Sequence, residues 1–152
     1  MPNKKLFIIS FLIIIFIVVL HYFSLKNSWY WNYRWLDIPV HIIAGFGVSL
    51  MALWLSLKIR HIDNIYGYKK KALLVMLITV FILAIFWEIY ELVIKFTSLN
   101  NISYWKDASL DIFNSLVGGV IAFLYFIRNK KAKCLVADIK HPKNFAVTLS
   151  TN

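Results

Sequence analysis

The chain contains seven acidic residues, Asp37, Asp63, Glu88, Glu91, Asp107, Asp111 and Asp138, and five of them fall at the matching ends of three apolar segments. Asp37 and His41 stand four apart, so on a helix both leave one face, with Gly45 one turn further along. Glu88 and Glu91 stand three apart within an otherwise apolar run, and Asp107, Asp111 and Asn114 follow with spacings of four and three. Three segments thus bring polar groups to one depth. Oxygen donors around a single imidazole suit three kinds of chemistry: holding a divalent cation, sharing protons, and gripping a polar ligand. His41, Glu88 and Glu91 are the candidate catalytic groups, His41 being the best general acid or base. Asp37, Asp107, Asp111 and Asn114 are candidate ligand-binding residues. Glu88, Glu91, Asp107 and Asp111 are the candidate metal ligands.

Plainer roles stand beside these. Asp37 is able to cap a helix start near Pro39, Asp107 is suited to an N-cap or first turn, and His41 can serve as an interhelical hydrogen-bonding residue. Glu88 and Glu91 fit no such role, because they fall near a helix C-terminus, where the dipole opposes negative charge.

The elements that carry these groups are written in the composition. Of 152 residues, 61% are hydrophobic and only 16% charged, with mean hydropathy +0.69, against about 45–50% apolar in a soluble domain. Such a chain has too little polar surface to cover itself in water. Four apolar runs, 6–23, 38–57, 72–94 and 110–127, approach the ~20 residues that a helix needs to cross a hydrocarbon core. The expected fold is an all-α integral membrane protein: one domain over 1–131, four transmembrane helices in a compact bundle, and a basic polar tail over 132–152. The first run lacks a small-residue cleavage site and reads as an uncleaved anchor.

Seventeen Lys and Arg give a formal charge of +10, and they sit between the apolar runs, which points to membrane orientation and anionic lipid rather than to nucleic acid. Thirteen lie before the first run, between the second and third, and after the fourth, against four in the other two connections. The positive-inside rule then places both termini in the cytoplasm of a cell-membrane, multi-pass protein, with the acidic ends facing outward. The outer connection around Trp29, Tyr30, Trp31, Tyr33 and Trp35 is rich in rings that favour the headgroup level. His21 lies at a membrane edge and carries no evident role. Gly45, Gly118 and Gly119 form small-residue patterns suited to close helix packing. The single cysteine, Cys134, excludes an intramolecular disulfide.

An acid inside hydrocarbon costs about 2.5–3.5 kcal/mol on insertion scales, so such groups face a bundle interior or a wet cavity. Five carboxyls in one pocket require countercharge, which protonation, His41, Arg34, Lys106 or a bound divalent cation would supply.

The series Asp37-x-x-x-His41, Glu88-x-x-Glu91 and Asp107-x-x-x-Asp111 before Gly118 resembles the YjdF-type family of small bacterial inner-membrane proteins. It is similar, more loosely, to the VanZ-like family associated with teicoplanin resistance. The likeness runs from about Tyr33 to Leu124. The connection before Asp107 reads Ile-Ser-Tyr-Trp-Lys, where YjdF-type members carry a Gly-Gln-Gly-Asp-like run. The resemblance implies architecture and a polar site, without a reaction.

The residues support a membrane site that binds, or also processes, an envelope lipid or amphipathic glycopeptide with a divalent cation. Two alternatives stay open: a proton-coupled carrier, which in so small a bundle calls for a homo-oligomer, and a non-enzymatic accessory subunit. The chain has no nucleophile elbow, phosphate-binding Walker loop, HExxH helix or CxxCH sequence. The adjacent Glu pair followed by Arg of CAAX-type intramembrane proteases is also missing.

Overall fold

A computed structural model describes residues 4–59, 69–95 and 102–128. All regular structure there is helical: α1 (Lys4–Lys26), α2 (Trp29–Asn32), a 3-10 turn (Arg34–Leu36), α3 (Asp37–Lys58), α4 (Lys69–Lys95) and α5 (Ile102–Arg128). Four of these, α1, α3, α4 and α5, are long and apolar enough to cross a membrane. In hydrocarbon the backbone must bond to itself, and unbroken helices do this. The hydroxyls of Ser10, Ser56 and Thr79 likewise donate to carbonyls one turn back, at 2.8–2.9 Å.

Each boundary has a local cause. Ser28 takes a left-handed conformation, φ 55°, in the position where helices commonly end, and the Asn27 side-chain amide donates to the Phe23 carbonyl at 3.0 Å. The ring-rich connection then folds back as α2 and the 3-10 turn, which runs directly into α3. The largest departure from the expected spans is α5, which starts at Ile102 rather than near residue 110. Its first turns read as polar in sequence but are tied down: Ala108 is buried, and the Tyr104 hydroxyl donates to the Glu88 carbonyl at 3.3 Å. The tail over 132–152 and most of the basic connection between α3 and α4 lie outside the described residues.

The central helix is α3, which packs on α1, α4 and α5. Half of its spanning window is buried, against 22% for α1. The tightest pairing, α3 with α5, is made by glycine. A Cβ on Gly45 would run into the Ser115 carbonyl, and one on Gly118 into the Ile42 carbonyl. In lipid, where no water drives helices together, such backbone contact is a main source of association. Gly119 faces the Ser49 hydroxyl instead. A dry cluster of Leu6, Leu50, Leu53, Ala72, Met76 and Ala122 fills one end of the bundle. The acidic residues occupy the other end.

Candidate functional site

Asp37 is the first residue of α3, with helical angles of φ −63° and ψ −44°. It is therefore not the N-cap, which is Leu36, and no side-chain cap bond forms at this terminus. Its carboxylate turns one turn along the helix, placing Oδ1 3.5 Å from His41 Nε2. The glycine contact brings α5 against the same face, and Asp111 Oδ2 arrives 3.8 Å from the same nitrogen. The other ring nitrogen, Nδ1, faces Ser115 Oγ at 3.5 Å. His41 and Asp111 are buried, while the Asp37 side chain keeps 28% exposure. The cluster is closed on the protein side and open past Asp37.

The donor atoms of Asp37, His41 and Asp111 all lie within 4.8 Å of one another, a spacing that a metal ion can bridge. This is not the set of Glu88, Glu91, Asp107 and Asp111 read from spacing alone. Asp111 belongs to both, but the structure joins it to Asp37 and His41. Glu88 is buried and within electrostatic reach of His41. Glu91 is half-buried and accepts from Trp87 Nε1 at 3.1 Å. Asp107 is exposed in the second turn of α5, neither cap nor first-turn acid, and Asn114 is half-buried.

Beside His41 a cavity of about 410 Å³ opens between α1 and α4, with α3 as its floor. Ile17 and Val18 form one wall, Leu83 and Ala84 the other, and His41 and Ser115 supply the polar atoms at its base. The volume falls within the usual range for small-molecule sites, about 300–1,000 Å³. The polar cluster and the apolar cleft share His41.

At the acidic end, the cleft is bounded by a contact that sequence reasoning missed. His21 of α1 is buried, stacks edge-on to Trp87 of α4 with ring centroids 4.7 Å apart, and pairs through Nδ1 with the Tyr30 hydroxyl at 2.9 Å. Burial, with the negative charge of Asp37 nearby, pushes the Tyr30 hydroxyl up to about 12. The phenol thus keeps its proton and is able to donate to or accept from the ring nitrogen. An available signal was the imidazole of His21 closing an otherwise apolar run at the acidic end, next to a ring-rich connection.

The sequence over residues 2–132 matches the family described as Predicted membrane protein (DUF2238). The chain belongs to that family. The YjdF-type resemblance is a resemblance to this same family. No curated protein and no solved structure matches the chain. In this DUF2238 chain the matched residues include the three cluster residues, the cleft and the His21–Tyr30–Trp87 contact.

Proposed function

We propose that the protein binds a tailed envelope lipid from within the bilayer, its tail in the cleft between α1 and α4 and its polar head at Asp37, His41 and Asp111. One observation carries the reading: His41, a member of the polar cluster, lies with Ser115 at the base of an apolar cavity between two lipid-facing helices. A soluble ligand would need a water-filled approach, whereas walls made of Ile17, Val18, Leu83 and Ala84 suit a hydrocarbon chain. The charge distribution supports an orientation with both termini in the cytoplasm, so that the site faces the outer leaflet. The looser VanZ-like pattern of an early Asp and His with a late Asp, Asn and Gly accords with an envelope ligand. Binding is the activity the geometry supports best, and His41 is the residue able to move a proton if the lipid is also processed.

The test is native mass spectrometry of protein extracted from its own membrane in mild detergent, wild type beside Ala84→Trp. Ala84 lines the cleft and is not part of the polar cluster. A lipid adduct on the wild type that is lost in Ala84→Trp is the expected result. Equal adducts on both proteins, or none on either, would overturn the reading.

A further inference from the structure

The geometry points to a divalent-cation site built from Asp37 Oδ1, His41 Nε2 and Asp111 Oδ2. The separations of 3.5 and 3.8 Å between His41 Nε2 and the two carboxylates are long for hydrogen bonds, whose N···O distances run about 2.7–3.2 Å. They are close to the spacing of atoms sharing one ion. Two donors each about 2.0–2.2 Å from a tetrahedral metal stand roughly 3.4 Å apart.

Asp111 supplies an independent reason. Its residue is 5% exposed, and among the described residues its carboxylate accepts no hydrogen bond and pairs with no lysine or arginine, its close charged neighbours being His41 and the like-charged Asp37. A buried carboxylate left this way is costly. With both carboxyls ionised, Asp37 and Asp111 would bring two negative charges together, and a doubly charged cation between them would cancel both where the dielectric is low. The far side of the imidazole is also prepared. Ser115 Oγ lies opposite Nδ1 at 3.5 Å, placed to accept the Nδ1 proton when Nε2 gives its lone pair to a metal, as partners of metal-binding histidines do.

One imidazole with two carboxylates favours a borderline cation, Zn²⁺ ahead of Mn²⁺, over Mg²⁺ and Ca²⁺, which take oxygen-only shells. Three protein ligands leave a position open toward the exposed edge of Asp37. The ligand set stands whether or not a lipid fills the cleft. Its consequence rests on the lipid reading: the cation makes an acidic site able to take the phosphate or another anionic oxygen of a lipid head.

The experiment uses the full chain in detergent, stripped with chelator and titrated with Zn²⁺, Mn²⁺, Mg²⁺ and Ca²⁺, with bound metal read by elemental analysis and thermal unfolding read alongside. Wild type is expected to bind one Zn²⁺ per chain and to melt higher with it, with Mg²⁺ and Ca²⁺ ineffective. Asp111→Asn and His41→Gln lose both effects, while Glu88→Gln retains them. Ser115→Ala keeps all three ligands and weakens binding about 10-fold or more, with its metal-free melting compared to separate affinity from folding. No stoichiometric metal in wild type overturns the site, as does loss in Glu88→Gln equal to that in Asp111→Asn. Equal binding of Mg²⁺ or Ca²⁺ overturns the assigned class of cation. Ala84→Trp leaves the ligands in place, so retained metal with lost lipid would fault the lipid reading alone.

Discussion

Gly45 of α3 and Ser115 of α5 meet backbone to backbone, so closely that a Cβ on Gly45 would overlap the Ser115 carbonyl. One turn before each lie His41 and Asp111, which come together because these two backbones do. Packing and site are one arrangement here.

Gly45→Ala and Gly118→Ala should therefore damage both. Overpacking against a neighbour's backbone costs about 1–3 kcal/mol, and carbonyls cannot rotate aside. Gly119→Ala meets a movable Ser49 hydroxyl and should cost less than either. Unfolding of each variant in mixed micelles checks the order; a Gly119→Ala loss equal to that of Gly45→Ala would contradict it.

The Tyr30 hydroxyl is raised to about 12 by burial and by Asp37, from an ordinary value of about 10. The folded protein thus holds this proton where the unfolded chain has released it. The stabilisation is complete below about pH 10 and is lost as pH rises toward about 12. A phenolate absorbance titration of wild type minus Tyr30→Phe should show one ionisation near 12, and the variant should have a shallower fall in stability across that window. A difference titration centred near 10 would contradict the burial of this group.

The His21–Trp87 contact joins α1 to α4 at the acidic end of the cleft. His21→Ala removes it and the Tyr30 partner together. The expected outcome is faster loss of bound lipid in a timed delipidation series, with most of the helix content retained by circular dichroism. Unchanged retention would show that this contact does not hold the end of the cleft.

Orientation is testable in whole cells. In a Cys134→Ser background, Asn32→Cys at the end of α2 should react with a membrane-impermeant maleimide, and the native Cys134 should react only after the membrane is opened. The reverse pattern would invert the topology inferred from the basic residues.

Much of this arrangement was legible in the chain. Apolar run length marks all four long helices, because hydrocarbon allows few alternatives to a helix. The four-residue spacing of Asp37 and His41 already placed them on one face. Which polar residue of α5 would meet them was not legible, since Asp107, Asp111 and Asn114 share a stripe and the close α3–α5 contacts at Gly45 and Gly118 select Asp111. The first turns of α5 were hidden for a different reason: Tyr104, Trp105 and Asp107 lower the local hydropathy, while burial of Ala108 and the Tyr104 bond to the Glu88 carbonyl depend on tertiary contact. His21 was similarly hidden, its partners being Tyr30 in the next helix and Trp87 far along the chain.

The central claim is that a lipid tail lies between α1 and α4, with its head at His41. A phospholipid carrying a photoreactive group midway along its acyl chain, equilibrated with the protein in native-like nanodiscs and irradiated, reports where tails dwell. Cross-links concentrated on Val18, Val48, Leu83 and Ala84, and competed away by unlabelled envelope lipid, are the predicted result. Cross-links spread evenly over exposed residues such as Leu12, Leu74 and Phe113, with no preference for the cleft, would contradict it.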